Sequence, residues 1–257
     1  MIEKLIEEYY DEIGSTNDAI KERARAGEQE GLVISARTQT AGKGRVGRVW
    51  QSPDHDSIAT SILLRPTQVP IGAVPTITIL AAMAVRDALE ETVGLDCQIK
   101  WPNDIVAGGK KLCGILTEME ATGGVVSYVV CGIGVNVHTM EFPEDIAFKA
   151  TSVDKALKEA GSDKQGHRSV ITTAIWTAFL KYYNEFLKTS DLTSLKAEYE
   201  AHLVSLGQEV RIEDPAGAYT ARCLGINDAG NMIIERDGAQ QIVQSGEVSV
   251  RGLYGYV

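Results

Sequence analysis

The amino-acid sequence predicts an α+β fold, in which helices and a β-sheet are followed by a small all-β barrel. Two long segments with helical periodicity, residues 75–94 and 169–187, are separated by runs of apolar and β-branched residues. After Leu206 the pattern changes to short strands with closely spaced turns over the last ~50 residues. We therefore expect two domains, residues 1–206 and 207–257.

Capping residues and helical periodicity predict four helices. The first begins at Ser15 or Thr16, either of which can cap it, and ends before Gly27. The second begins at Pro75, a residue that suits a first helical turn. The four segments are residues 15–28, 75–94, 169–187 and 191–204.

Runs of apolar and β-branched residues bounded by turn signals predict the strands of the first domain. The second strand ends at Pro66, and the third leads into a Pro-Asn-Asp turn. The last two are joined by the turn sequence TGG and are expected to form a pair. The five segments are residues 31–37, 56–66, 95–104, 110–121 and 124–137.

Composition places the chain among ordinary globular proteins, with 257 residues of which 44% are hydrophobic and 23% charged. The formal net charge of −10 argues against non-specific nucleic-acid binding, which needs a broad basic surface. The four cysteines show no C-x-x-C spacing and the four histidines are scattered, so we expect free thiols and no metal cluster. The acidic N-terminal segment does not resemble a signal peptide, and no apolar run approaches the ~20 residues of a membrane span. These features predict a cytoplasmic protein without a membrane partner.

The segment AGKGRVGRVWQSP, residues 41–53, contains the G-x-G-x-x-G spacing of a dinucleotide-binding turn at Gly42, Gly44 and Gly47. Such a turn follows a strand directly and opens a helix. Here the residues TQTA separate the loop from the preceding strand, and Pro53 follows soon after it. We therefore reject a nicotinamide or flavin site.

The charge of this segment indicates a different ligand. Residues 31–53 contain no acidic residue, while Lys43, Arg45 and Arg48 lie within six positions of one another. Arginine forks and exposed glycine N–H groups bind carboxylate or phosphate oxygens. Trp50 offers a face on which a planar base can stack. The alternative is a solvated basic loop followed by a core tryptophan.

Five motifs occur together in one order, and a sixth lies near the C-terminus. In this combination the chain resembles the biotin–protein ligases over essentially its whole length. The resemblance implies a mixed sheet with helices, as in class II synthetase-like and biotin/lipoate ligase-like catalytic domains, and a C-terminal SH3-like β-barrel. The motifs are STND (15–18), QTAGKGRVGRVWQSP (39–53), KWPNDI (100–105), KLCGIL (111–116), GIGVNV (132–137) and GEVSVRG (246–252).

The resemblance implies an ATP-dependent, AMP-forming ligase. Biotin reacts with ATP to give biotinyl-5′-AMP, and biotin then passes to a lysine of a biotin carboxyl carrier protein domain. Lys111 and Arg45 are the expected catalytic residues, and Mg²⁺ is expected near Asp104 and Asn136. The ligand-binding residues implied by position are Ser15, Thr16, Asn17, Gln39, Gly42, Lys43, Gly44, Arg45, Arg48, Trp50, Lys100, Asn103, Asp104, Lys111, Gly114, Gly132, Gly134, Asn136 and Arg251.

Simpler interpretations stand beside several of these assignments. Ser15 or Thr16 could only cap a helix, and Gly114, Gly132 and Gly134 could each serve a bulge or tight strand packing. Lys110 is the alternative to Lys111, as an exposed lysine in a turn. The family's loop most commonly has arginine at the position of Lys43. The lysine keeps the positive charge but lacks the planar guanidinium fork.

Rival functions follow from the same residues. A lipoate or octanoate transferase shares the fold superfamily, and a sensor would bind biotin or nucleotide without turnover. Only 14 residues precede Ser15, so we expect no winged helix-turn-helix domain and no DNA binding. Homodimers occur in the resembled family, and nothing in the sequence decides between a monomer and a dimer.

Overall fold

A computed structural model describes residues 2, 4–50, 56–214, 217–245, 249–252 and 256–257. It confirms the predicted α+β fold, with two sheets and six α-helices in the described part of the chain. The larger sheet contains β1 (Ile6–Ile13), β2 (Leu32–Gln39), β3 (Ser57–Leu64), β4 (Gln98–Lys100), β5 (Asp104–Ala107), β6 (Lys110–Thr122) and β7 (Val125–Asn136). The helices are α1 (Thr16–Arg25), α2 (Thr76–Val93), α3 (Glu144–Ala147), α4 (Val153–Glu159), α5 (Arg168–Thr189) and α6 (Lys196–Ala201). The smaller sheet contains β8 (Glu209–Asp214), β9 (Gly217–Ile226), β10 (Met232–Arg236), β11 (Ala239–Val243) and β12 (Ser249–Gly252).

The larger sheet is mixed and has the strand order β1-β2-β3-β7-β6-β5-β4. Strands β1 and β2 are parallel, and the other neighbouring strands are antiparallel. Strands β6 and β7 form the predicted hairpin, whose register sets Gly114 opposite Gly134 and Leu116 opposite Gly132. Three glycines, Gly114 of β6 and Gly132 and Gly134 of β7, therefore lie close together in the middle of the sheet.

Helices cover both faces of the larger sheet. Helices α2 and α5 pack on each other and on one face, and α1 packs on the other. Because successive side chains of a strand point to opposite faces, Val33 of β2 joins the α2 side while Leu32 and Ile34 join Ile20 on the α1 side. This packing holds the N-terminus of α1 above β3, β6 and β7.

The smaller sheet is antiparallel, with the order β11-β10-β9-β8-β12. Pairing of the edge strands β11 and β12, which would close a barrel, is not found among the described residues. The turn between β9 and β10 touches the larger unit, because Trp101 Nε1 donates to Gly230 O at 2.9 Å and Thr76 Oγ1 donates to Ala229 O at 3.2 Å. The smaller unit is therefore in direct contact with the larger unit through this turn.

Five elements of the larger unit differ from the sequence prediction, and three of them, β5, α3 and α4, lie in segments for which no strand or helix was predicted. Strand β1 was not predicted, because it lies at the sheet edge with most of its side chains exposed and lacks an alternating apolar pattern. The predicted helix over 191–204 is wrong in length, since α6 contains only Lys196–Ala201. Residues before it form turns in which Thr193 N donates to the Asp191 carboxylate at 2.9 Å and Leu192 N donates to Asp228 O at 2.8 Å.

The segment Ile71–Val93, which includes α2, is long and apolar enough to span a membrane by length and composition. However, 61% of its most apolar window is buried inside the protein. Helix α2 packs on α5 and on four strands of the larger sheet. This burial is typical of a core helix.

Candidate active site

A cleft lies on the α1 side of the larger sheet, bordered by the start of α1, strands β6 and β7 and the loop of residues 42–50. The apolar residue Leu116 forms part of its wall, whereas Ile115 and Ile133 line it while their side chains lie in the core on the other face of the sheet. The structure brings to this cleft most of the site residues that the sequence predicts. Those that line it are Ser15, Thr16, Asn17, Gln39, Lys43, Gly44, Arg45, Trp50, Asn103, Lys111, Gly114, Gly132 and Gly134.

Glycines of β6 and β7 form the floor of the cleft. A Cβ atom on Gly132 would overlap the Asn17 amide, and one on Gly134 would overlap the Trp50 indole. A Cβ atom on Gly114 would lie 3.1 Å from both Lys111 Nζ and Trp50 Cζ3. The interpretation that these glycines allow tight packing therefore fits the structure, because the Asn17, Lys111 and Trp50 side chains of the protein itself lie against them.

A polar network lies at one end of the floor. Both the backbone N and the Oγ1 of Thr16 donate to Gln39 Oε1, at 2.8 and 3.1 Å. Ser61 Oγ lies 2.7 Å from Thr16 Oγ1 and 2.7 Å from Asn17 Oδ1. Asn17 Nδ2 donates to Glu118 Oε2 at 2.8 Å. These amides and hydroxyls can present donors and acceptors to a ligand with a small polar ring.

The interpretation that the Ser15 or Thr16 side chain caps α1 is wrong, because neither side chain makes a capping hydrogen bond. Ser15 occupies the N-cap position of α1, but its side chain makes no capping hydrogen bond. The Thr16 hydroxyl bonds to Gln39 across the sheet instead of to the helix. Both side chains are buried at the cleft, so a role beyond capping is open to them.

The loop of residues 42–50 has a defined shape. Lys43 and Val49 form an antiparallel bridge around a 3₁₀ turn, Arg45–Gly47. The Lys43 ammonium pairs with Asp18 of α1 at 2.7 Å, and this hydrogen bond raises the pKa of Lys43. Both side chains are about half exposed, so the pair contributes only ~0.2–1 kcal/mol. The lysine at this position therefore fastens the loop to the helix without needing an arginine fork.

Arg45 connects the loop to residues that are more distant in the chain. Its Nη1 donates to Asn103 Oδ1 at 2.8 Å and its Nη2 donates to Ser245 O at 2.5 Å. Asn103 lies between β4 and β5 and Ser245 follows β11, so one guanidinium ties the loop to both units of the chain. Burial lowers the pKa of Arg45, and the negative charge of Asp104 opposes that change. Arg45 remains a cation at the mouth of the cleft.

Trp50 lies inside the cleft rather than in the hydrophobic core. Its indole covers Gly134 and Gly114, and Lys111 Nζ is 5.9 Å from the ring centroid. The Trp50 Nε1–H is buried and has no hydrogen-bond acceptor within the described chain. An unsatisfied buried donor costs ~1–3 kcal/mol, so a ligand acceptor or a shift of the indole would relieve that cost. Its predicted place beside adenine stays a prediction.

Lys111, with Asp104 behind it, forms the charged end of the cleft. Lys111 Nζ donates to Asp104 Oδ1 at 2.6 Å, and the Tyr256 hydroxyl donates to Asp104 Oδ2. The Lys100 ammonium lies 3.4 Å from the centroid of the Tyr256 ring. Burial lowers the pKa of Lys100 to about 8, with Asp104 opposing and Lys111 assisting the shift. Several cations and one carboxylate therefore meet here, an arrangement suited to a polyanion.

Six predicted residues do not line the cleft. Gly42 and Arg48 close the base of the loop, where Gly42 O accepts from Trp50 N at 3.0 Å and Arg48 O accepts from Gly44 N at 2.7 Å. Asn136 donates to Thr151 O at 3.0 Å. Asp104 lies behind Lys111, whereas Lys100 and Arg251 line a neighbouring cavity between the two sheets.

The chain matches the Biotin/lipoate A/B protein ligase family over residues 9–136 and the Biotin protein ligase C terminal domain over residues 205–251. It is 35% identical over 244 residues to the bifunctional ligase/repressor BirA of Bacillus subtilis, covering 94% of this chain and 73% of that protein. This chain belongs to the biotin protein ligase family. The biotin–[acetyl-CoA-carboxylase] ligase of Mycobacterium tuberculosis is 31% identical over 240 residues, covering 91% of this ligase and 85% of that protein.

Solved structures extend the comparison. The Aquifex aeolicus biotin protein ligase in complex with biotin and ATP matches this ligase with a TM-score of 0.80 and 27% identity, covering 98% of this chain and all of that one (100%). A mutant of the same enzyme in complex with biotin has a TM-score of 0.82 at 27% identity and the same coverage. The family resemblance drawn from the motifs is therefore confirmed.

Parts of two motifs of this ligase lie outside the described residues, namely 51–53 and 246–248. Four residues of the site were missed by sequence reasoning: Ser61, Asp18, Glu118 and Tyr256. A signal existed for Ser61, because it is one of three polar residues, with Ser57 and Thr60, in a strand whose other residues are apolar. Nothing in the sequence connects Tyr256 to Asp104, since more than half the chain separates them.

Proposed function

We propose that this chain is an ATP-dependent biotin–protein ligase that works in two steps. The observation that carries the proposal is the convergence of Lys111 and Arg45 on a cleft with an apolar wall and a polar network. The apolar wall and the polar network suit the ring system of biotin, which is mostly apolar with a few hydrogen-bonding edges. The cations suit the carboxylate and phosphates that must meet beside it.

In the first step a biotin carboxylate oxygen attacks the α-phosphorus of ATP. The bond to the β-phosphate oxygen breaks, and pyrophosphate leaves with the electron pair, so that biotinyl-5′-AMP remains. Two anions repel each other before they react, and Lys111 and Arg45 reduce that repulsion and stabilise the charge of the transition state. The loop of residues 42–50 then shields the mixed anhydride from water.

In the second step an uncharged lysine amine of the carrier domain attacks the biotinyl carbonyl carbon. AMP leaves with the electron pair of the broken anhydride bond, and the new amide nitrogen loses a proton. The cationic groups that stabilised the first transition state also stabilise the leaving AMP. The overall reaction consumes biotin, ATP and the carrier lysine.

The proposal is tested by incubating the chain with biotin, Mg-ATP and an isolated biotin carboxyl carrier domain, followed by intact-mass measurement of the carrier. The expected result is a mass gain of one biotinyl group that requires both biotin and ATP. Biotin binding without a mass gain or pyrophosphate exchange would favour a sensor. Tight calorimetric binding of lipoate, with none of biotin, would favour a lipoate or octanoate ligase.

The lowered pKa of Lys100 predicts that the reaction with ATP depends on pH. With its pKa lowered to about 8, Lys100 adds a positive charge beside Asp104 and Lys111 below that pH and loses it above. We expect kcat/KM for ATP to fall as the pH rises through this value, because this parameter reports the free enzyme. In Lys100→Arg the charge persists to higher pH, and the fall should move upward. An identical fall in Lys100→Arg would assign the titration to another group.

Ser61 predicts a specific effect on biotin affinity. The change Ser61→Ala removes the hydroxyl that lies 2.7 Å from Asn17 Oδ1 and leaves that buried acceptor without its donor. We expect the biotin Kd to rise about tenfold by isothermal titration calorimetry. The matched control is Ser35→Ala, since Ser35 pairs with Thr60 at 2.7 Å on the opposite side of the sheet. An equal loss of affinity in both variants would contradict the assignment.

The acceptor, metal and compartment are part of the same proposal. We expect the acceptor to be a biotin carboxyl carrier domain and the compartment to be the cytoplasm, where a carboxylase subunit is made. Mg²⁺ is expected to arrive with ATP, whose phosphates supply most of its ligands. Both oxygens of Asp104 already accept hydrogen bonds from Lys111 and Tyr256, so a metal site at Asp104 and Asn136 stays a prediction.

The domain division, oligomeric state and DNA binding are also proposals. We place the boundary near Gly207, two residues before β8. The exposed edge strand β1 supports a homodimer, which light scattering on the purified chain would detect. The net charge of −10 supports the absence of DNA binding, which a mobility-shift assay would test.

A further inference from the structure

The last described residues of the chain reach the charged end of the cleft. The Tyr256 hydroxyl donates to Asp104 Oδ2, while Lys111 Nζ donates to the other oxygen at 2.6 Å. The Asp104 side chain is 13% exposed, so water has little access to replace either donor. One largely buried carboxylate thus links a residue near the end of the chain to the expected catalytic lysine.

Close packing fixes the position of Tyr256. A Cβ atom on Gly252 of β12 would overlap the backbone carbonyl of Val257, so only glycine lets the chain pass there. Val257 Cγ2 also lies 3.3 Å from the Cβ position of Gly109, in the turn before β6. The Tyr256 ring in turn covers the Lys100 ammonium at 3.4 Å. Residues from both sheets therefore hold the hydroxyl against Asp104.

The chemistry of the hydroxyl suits a fixed donor. Burial, together with the negative charge of Asp104, raises the pKa of Tyr256, so the hydroxyl stays protonated at neutral pH. A carboxylate with one oxygen held can rotate, and a lysine bonded to it moves with it. With both oxygens held, the Lys111 ammonium keeps one place beside Gly114 on the floor of the cleft.

We propose that Tyr256 is a positioning residue for the adenylation step, holding Asp104 so that Lys111 Nζ meets the reacting carboxylate and α-phosphate. This inference rests on the proposed ligase function. Tyr256 itself touches no reacting atom and acts through Asp104. Misplacement of a catalytic group by ~1 Å can reduce a rate about a hundredfold, so loss of this one hydroxyl is expected to be measurable.

The test is the change Tyr256→Phe, which removes the hydroxyl and keeps the ring over Lys100. We expect kcat for biotin-dependent ATP–pyrophosphate exchange to fall about ten- to a hundredfold. The KM for biotin should stay within about twofold, because the polar network around Asn17 is untouched. The matched control is Tyr10→Phe, whose hydroxyl bonds to Glu8 on the exposed strand β1 at 2.9 Å and which should leave exchange unchanged.

A double variant separates positioning from general structural damage. If Tyr256 acts through Lys111, then Tyr256→Phe should change exchange less than about twofold when added to Lys111→Ala. An equal fall in both backgrounds, an unchanged rate in the single variant, or a loss confined to the biotin KM would each overturn the inference. A wild-type chain without biotin-dependent exchange would instead refute the ligase function, so the two failures are distinguishable.

Discussion

Replacing Lys111 by alanine is expected to slow adenylate formation by about 10²–10³-fold while changing the biotin Kd by less than about tenfold. The Lys111 ammonium lies beside Gly114 on the cleft floor and is held by Asp104 at 2.6 Å. Charge builds up between the biotin carboxylate and the α-phosphate mainly in the transition state, so the ammonium helps there more than in the ground state. Biotin-dependent ATP–pyrophosphate exchange measures the rate, and calorimetry measures the affinity.

The neighbouring lysine supplies the control for this prediction. Lys110 pairs loosely with Glu159 at 3.8 Å and does not line the cleft. Lys110→Ala should therefore retain the wild-type exchange rate within about twofold. A Lys111→Ala variant that loses only biotin affinity, with its chemical step intact, would show that Lys111 serves binding and not catalysis.

Arg45→Gly is expected to release biotinyl-5′-AMP from the site and to spread biotin onto unrelated proteins. The guanidinium joins the loop to Asn103 at 2.8 Å and to Ser245 O at 2.5 Å. Hydrogen bonds from a charged donor are worth ~1.5–3 kcal/mol each, so losing both favours the open loop by at least about a hundredfold. We expect labelling of added serum albumin, detected with streptavidin, to rise about tenfold or more.

Two further variants serve as controls for the Arg45→Gly result. Arg45→Lys keeps the charge but loses the planar fork, so its leakage should lie between those of the wild type and the glycine variant. Arg25→Gly removes an arginine that is 60% exposed on α1 and should leave labelling unchanged. Labelling of the carrier domain alone by Arg45→Gly would mean that this loop does not retain the adenylate.

Most elements of the larger unit were predictable because their signals are local. The helices α2 and α5 and the β6–β7 hairpin show their periodicity and turn residues within the segment itself. Strand β1 was not predictable in the same way, because an exposed edge strand is defined by its partner β2. Helix α6 is shorter than its pattern suggests, because Leu192 bonds to Asp228 and holds the preceding residues in turns.

The candidate site likewise has features that local sequence predicts and contacts that it does not predict. The cationic, glycine-rich loop and the order of the motifs identified the family and most of the residues that line the cleft. Local spacing could not show that Lys43 pairs with Asp18, or that Trp50 covers Gly134. These contacts depend on how the loop folds over the sheet, which is set by residues distant in the chain.

By itself the sequence determined the α+β class, the positions of the strong helices and hairpin, and the chemical character of the loop, because periodicity, turn chemistry and charge are properties of neighbouring residues. Only the tertiary structure decided that Arg45 reaches Ser245 and that Asp104 joins Lys111 to Tyr256. The partners in those bonds lie up to 200 positions apart, and their meeting follows from sheet register and from the packing of the two sheets, which no local pattern contains.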